Sequence, residues 1–242
     1  RFGFQEGEFK RAKKSIMARW DKIFKDKDKQ ESGRIIGEYV NNFLDEEPIP
    51  GIEWEYAMTK QYIETITLSE IDKLISQFIH EDNRVIILTG PEKEGLKPIT
   101  ETEVLSLLKE VESSNIIAYE DAKLRENLIE NLLKEGSIID SETNESLNTT
   151  TFNLSNGAKV TFKKTDFKND EILFEAVSFG GTNLYSDEDF IATTFANGGL
   201  AEAGIGGLSK TDLNKMMSGK IANVSLYIQI ETEGNRGKSE PK

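Results

Sequence analysis

The chain reads as an α+β protein on three observations. Apolar residues recur at three- and four-residue steps through much of the first half, the mark of helices that bury one stripe. Short runs rich in β-branched and aromatic residues, bounded by Gly, Asn and Asp, prevail in the second half, the mark of strands. The two kinds do not alternate in a regular strand–helix–strand rhythm, which argues against a doubly wound parallel sheet.

Each element has its own signal. Phe9, Ala12, Ile16, Trp20, Ile23 and Phe24 make one apolar stripe, so a helix is expected over roughly Glu6 to Lys27. A second helix carries Ile35, Ile36, Tyr39, Val40, Phe43 and Leu44 and is stopped by Pro48 and Pro50. Pro50 and Gly51 open a third through Trp54, Met58, Tyr62 and Ile63. Thr67 and Glu70 have the spacing of a capping box, in which hydroxyl and carboxylate each satisfy an orphan N–H. The helix behind them holds Ile71, Leu74, Ile75, Phe78 and Ile79. Arg84 to Thr89 (RVIILT) is expected to be a strand, stopped by Gly90 and Pro91. A second box, Thr100 with Glu103, starts a helix through Leu105, Leu108 and Val111, and Leu124, Leu128 and Leu132 suggest another. Asp140 to Thr150 lacks a pattern and reads as a polar connector.

The second block begins near Phe152 with the turn Ser155, Asn156, Gly157. Lys159 to Lys164 and Ile172 to Ser178 flank the polar turn Asp166 to Asp170 and are expected to pair as a hairpin. A glycine-dense corner, Phe179 to Ser186, leads to a helix through Phe190, Ile191, Thr194 and Phe195, capped at Ser186 and Asp189. Ser209 and Asp212 cap another through Leu213, Met216 and Met217, closed by Gly219. Val224 to Glu231 alternates as a strand, and Glu233 to Lys242 reads as a polar tail. Three domain segments follow: a mainly helical one over 1–95, a linker with helices over 96–150, and a third over 151–242.

At 37% hydrophobic residues a core is within reach. The net charge of −13 opposes bulk binding to nucleic acid or an anionic membrane. Residues 1–30 run the other way, with ten Lys and Arg against five Asp and Glu. Such a basic helical face is ordinarily solvated or paired with acidic neighbours. The chain has no cysteine, which excludes disulfides, thiolate metal sites and cysteine nucleophiles. No apolar run approaches the ~18 residues a membrane helix needs. The start at Arg1 without Met or signal peptide, and the polar end, read as cut from something longer.

Candidate chemistry is sparse. His80 is the one histidine, beside Glu81 and Asp82 at a helix end. There it caps terminal carbonyls more readily than it ligates metal, because adjacent side chains diverge. One histidine also excludes H-E-x-x-H and H-x-x-E-H from this chain. Gly198, Gly199, Gly204, Gly206 and Gly207 suggest a phosphate loop, but Ser209 rather than glycine precedes Lys210, so the motif fails and a packing corner is expected. Asp187, Glu188 and Asp189 could meet a cation, yet at a helix start they complement its dipole. Met216 and Met217 read as core, and Trp20 and Trp54 as packed helical faces.

As a set, several segments resemble the pitrilysin/insulinase zinc peptidases. They are Phe4 to Lys13 (FQEGEFKRAK), Glu46 to Glu53 (EEPIPGIE), Ile66 to Ile71 (ITLSEI) and Thr89 to Lys93 (TGPEK). Four more continue the likeness: Gly136 to Ile138, Leu154 to Gly157 (LSNG), Phe179 to Ser186 (FGGTNLYS) and Gly207 to Leu213 (GLSKTDL). The large bacterial zinc protease members are the most alike. The resemblance implies four homologous α+β repeats with mixed sheets and packed helices, in two halves around a peptide chamber. Zinc, held by H-x-x-E-H and a distal Glu, belongs to the first repeat. This chain would hold the end of the second repeat, the inter-half linker and the start of the third. The comparable third-repeat helix, Phe190 to Gly199 (FIATTFANGG), has neither His nor paired Glu. No catalytic, cofactor-binding or metal-binding residue therefore carries over to any position.

The implied function is a non-catalytic structural section of a zinc metalloendopeptidase: chamber wall and connector between the halves. Its implied partners are the remaining repeats and the parent's peptide or protein substrate, in the bacterial periplasm or cell envelope. The alternative is a free-standing protein-interaction scaffold; a nucleotide-binding enzyme would rest on the glycines alone. Two part-repeats would also expose sheet edges, so the chain is expected to merge them into one composite domain or to dimerise through an edge.

Overall fold

The computed structural model describes residues 2–78, 82–91, 93–121, 124–129 and 134–241. Five helices come first: α1 (Glu6–Lys25), α2 (Ser32–Asp45), α3 (Ile52–Ile63), α4 (Leu68–Phe78) and α5 (Glu101–Ser113). Strands β1 (Ile138–Asn144), β2 (Thr149–Leu154), β3 (Lys159–Phe162) and β4 (Ile172–Phe179) follow. The described chain closes with α6 (Phe190–Ala203), α7 (Lys210–Met216), β5 (Ala222–Ile228) and β6 (Thr232–Ser239). The class is α+β. Contacts divide the chain into two compact units, Arg1–Phe9 with Thr65–Ala122, and Lys10–Glu64 with Lys123–Lys242.

In the first unit both capping boxes form. The Thr67 hydroxyl accepts from the Glu70 N–H at 3.3 Å, and the Glu70 carboxylate accepts from the Thr67 N–H at 2.7 Å. Thr100 and Glu103 repeat the exchange at 3.3 and 2.8 Å. These bonds satisfy donors that the first helical turn leaves open. Gly3 sits at φ 67°, and a Cβ there would lie 2.7 Å from the Asp72 carboxylate. That carboxylate accepts from the Phe4 N–H at 2.9 Å. Arg84 to Thr89 is not a strand. Among the described residues its β-branched run has no strand paired to it to complete a ladder, and Val85 and Ile87 are exposed.

In the second unit α1 meets α3 through Phe24 and Tyr56, whose rings stack at 4.4 Å. The Tyr56 hydroxyl donates to Asp21 at 2.7 Å, and Lys27 pairs with Glu53 at 3.0 Å. Residues 124–129 carry no helix; Leu132 lies outside the described residues. Both sheets are antiparallel, ordered β1-β2-β3 and β4-β6-β5.

Three expectations about the strands are corrected. Asp140 to Thr150 is no connector but most of the β1–β2 hairpin, in register from Asp140↔Asn153 to Asn144↔Thr149. The segments around the Asp166 to Asp170 turn are strands, yet they do not pair with each other. Instead β3 pairs with β2, and β4 with β6 from Ile172↔Ser239 to Phe179↔Thr232. The polar tail is β6, the central strand of its sheet. Its glycines explain the placement: a Cβ on Gly234 would run into the Ala176 carbonyl, and one on Gly237 into that of Asn223. Glu175 faces Arg236 across the ladder at 3.7 Å, and the guanidinium lies 4.6 Å from the Tyr227 ring centre.

Among the described residues Ile63 is the buried hydrophobic one. Phe43 on α2 is 84% exposed, and Phe179 on β4 is 92% exposed. No described helix is long and apolar enough to cross a membrane.

Candidate functional site

A dense polar cluster in the second unit lies where α1 ends. Asp26 follows α1, and Asp170 precedes β4 in the turn after β3; both are buried. The Asp26 carboxylate accepts from the Asn169 N–H at 2.8 Å and from the Lys22 ammonium at 3.3 Å. Lys22 also donates to the Asp170 carbonyl at 2.8 Å, and Lys25 pairs with the Asp170 carboxylate at 3.1 Å. The Asn169 amide donates to the Lys25 carbonyl and Lys168 to the Lys29 carbonyl, each at 3.0 Å, while Lys29 donates to the Asp166 carbonyl. The turn thus satisfies carbonyls that a helix end leaves open.

Burial alone would push the Asp26 carboxyl up. The bonds from Asn169 and Lys22, with a further one from the Asp170 backbone, outweigh it and hold the group below its ordinary 3.8. The hydrogen bond to Asp170 lifts Lys25 above its ordinary 10.5, burial opposing it. Each carboxylate has its own lysine, an arrangement suited to clasping two segments rather than to acid–base chemistry. Sequence reasoning missed this clasp because its halves are about 144 residues apart and neither carries a motif.

Beside the clasp lies a hollow of about 520 Å³. Arg19, Lys22, Lys29, Arg34, Lys168 and Lys238 line it, with Asp26 and Glu31 as its acids and Ile23 and Ile221 as its apolar wall. An adjoining hollow of about 540 Å³ is lined by Ile16, Arg19, Trp20, Ile23 and Arg34.

The residues singled out by sequence lie elsewhere. The turn Ser155 to Gly157 joins β2 to β3, with Gly157 at φ 85°. The glycines after α6 make a tight corner. Gly204 takes φ 81°, where an added Cβ would strike the Leu208 carbonyl, and Ile205 bridges to Leu208. Gly198 and Gly199 lie within α6 with open space about them. Ser186 donates to the Asp189 carboxylate at 3.0 Å, one turn ahead of α6. Thr193 and Thr194 turn their hydroxyls back to the Phe190 carbonyl at 2.9 and 2.8 Å. The acid of α6, Glu202, pairs with Lys210.

Ser209 caps α7 by accepting from the Asp212 N–H at 3.1 Å, and Met216 and Met217 are half-buried. Trp20 is half-buried, but Trp54 is 56% exposed, so its expected packing is corrected: α3 presents that face outward. His80 and its neighbour Glu81 lie outside the described residues. Among those described, no group of three or more His, Cys, Asp or Glu is placed to hold a metal. The α6 side chains do not fit zinc: they offer no imidazole or thiolate, and the one carboxylate is bound to a lysine.

No family model matches the chain. It is similar to a "Zinc protease PQQL-like" of Arabidopsis thaliana, 25% identical over 231 residues, covering 95% of this chain and 24% of that protein. It is also similar to the "Probable zinc protease PqqL" of Haemophilus influenzae, 21% identical over 209 residues, covering 86% and 23%. Among solved structures, the periplasmic protease PqqL of Escherichia coli overlaps 98% of this chain and 26% of its own, at 19% identity and a TM-score of 0.46. The ferredoxin protease FusC, in complex with Arabidopsis ferredoxin, overlaps 97% and 28%, at 12% identity and a TM-score of 0.47. The chain is therefore similar to zinc proteases along nearly its whole length, and spans about a quarter of the length of the curated relatives it matches.

Proposed function

We propose that this chain is a non-catalytic structural section of a zinc metalloendopeptidase, forming part of its chamber wall and the connector between its halves. One observation carries the reading. Similarity to zinc proteases runs through 95% of the chain, while the helix comparable to a zinc-binding one reads FIATTFANGG. On this reading residues 1–95 close one inactive repeat, 96–150 link, and 151–242 open the next. Zinc and the hydrolytic step belong to the parent's first repeat, and no position here is catalytic. The open apolar faces of α2 and β4 support a role in which neighbouring repeats cover them. We place the parent in the bacterial periplasm or cell envelope, as the family resemblance implies.

The test compares the isolated chain with its parent. The isolated chain is expected to take up no stoichiometric zinc by calorimetry and to cleave no casein. Deleting the section from the parent should abolish cleavage while zinc content stays at one equivalent per chain, the expectation for one three-ligand site. Stoichiometric zinc in the isolated chain, or cleavage by it that His80→Ala removes, overturns the reading.

A further inference from the structure

We infer that the paired hollows beside the end of α1 form a docking groove for a short acidic polypeptide segment. Six Lys and Arg side chains line the hollow beside the clasp against two carboxylates. Both carboxylates are already engaged: Asp26 by Lys22 and Asn169, and Glu31 by Lys168 at 3.7 Å. Three of the cations, Lys22, Lys29 and Lys168, are held by backbone carbonyls of the clasp. Among the described residues the Arg34 side chain keeps a long contact to Glu38, at 3.8 Å. Among the described residues the Arg19 guanidinium and the Lys238 ammonium have no hydrogen-bond or ion-pair partner. The fold thus leaves a local excess of positive charge, with Arg19 and Lys238 as unspent donors in the lining.

The shape of the lining selects among anions. The two hollows share Arg19, Ile23 and Arg34, so basic and apolar side chains interleave from one to the other, with Trp20 and Ile16 at the far wall. At about 520 and 540 Å³ each hollow is of the size that takes an organic ligand. An inorganic anion would leave the apolar wall unused. A nucleic acid or an anionic membrane would reach beyond the groove and meet a chain of net charge −13. A peptide alternating carboxylates with aliphatic side chains matches both parts of the lining. The inference rests on the groove alone and stands or falls independently of the metallopeptidase reading.

The test uses the full chain carrying Trp54→Phe, so that Trp20 is the one fluorophore of its kind. The probe is a capped peptide of about eight alternating Glu and Leu residues, a length that spans adjoining pockets. Its addition should shift Trp20 emission saturably. Raising salt from about 50 to about 300 mM should weaken binding several-fold. Arg19→Glu combined with Lys238→Glu should weaken it about tenfold or more with circular dichroism unchanged. If that pair perturbs the fold, Arg19→Gln with Lys238→Gln decides the matter by the same tenfold criterion. Binding unaffected by loss of both charges overturns the inference. So does no binding, equal binding of a Lys-Leu peptide, or displacement by pyrophosphate at concentrations as low as the peptide's own.

Discussion

At the scale of single residues, Asp26 decides most. It is buried, accepts hydrogen bonds from Asn169 and Lys22, and holds the end of α1 against a turn about 144 positions away. Asp26→Ala leaves the Asn169 N–H unpaired and takes from the Lys22 ammonium one of its two acceptors, so urea unfolding should show a loss of about 2 kcal/mol. The pH dependence has a definite sign. The folded carboxyl lies below its ordinary 3.8, so its contribution is present above that value and fades as pH falls through the lower, folded value. Asp26→Asn should flatten the stability profile in that acid window and leave it parallel to the parent profile at neutral pH. None of this was legible from sequence, where Asp26 is one acid in a run of alternating charges. By contrast Thr67 with Glu70 and Thr100 with Glu103 were legible, because a capping box needs only four consecutive residues.

At the scale of elements, the glycines separate into two kinds. Gly33 lies in α2 with negative φ and nothing within 4 Å of an added Cβ. Gly33→Ala should therefore stabilise by about 0.5–1 kcal/mol, by restricting the unfolded chain. Gly204 caps α6 at φ 81° against the Leu208 carbonyl. Gly204→Ala should cost about 2 kcal/mol or more, through backbone strain and the clash together. Thermal unfolding of the two variants reads opposite signs from one substitution. Ser209→Ala, which removes the bond to the Asp212 N–H, should cost about 1 kcal/mol. Helices α1 to α7 were legible because their apolar stripes or caps recur within a turn, whereas the spacing of Leu124 and Leu128 gave no helix over 124–129. The strands β1 and β6 were not, since β6 and all of β1 after Ile139 carry no apolar side chain and their place comes from partners on other segments. For β6 the useful signal was Gly234 and Gly237: spaced glycines mark close backbone approach in a sheet as well as in a turn.

At the scale of the whole molecule, composition and packing pull apart. With 37% hydrophobic residues the chain has the means for a core, yet Ile63 is the buried hydrophobic among its described residues. Burial contributes about 25 cal/mol per Å², while ordering costs on the order of 1–2 kcal/mol per residue for the backbone alone. Apolar surface left in water does nothing to offset that cost. The isolated chain should therefore be marginal and adhesive. It should bind anilinonaphthalene sulfonate strongly, and sedimentation should show association that grows with concentration. Strand β4 is the sharpest place to intervene. One edge of it pairs with β6 and no described strand covers the other, while Val177 and Phe179 are exposed along it. A lysine on an open edge discourages strand addition, so Val177→Lys should reduce association while leaving the circular dichroism spectrum intact. An isolated chain that stays monomeric, binds no dye and unfolds in one sharp transition would show that these apolar faces find their cover within the chain.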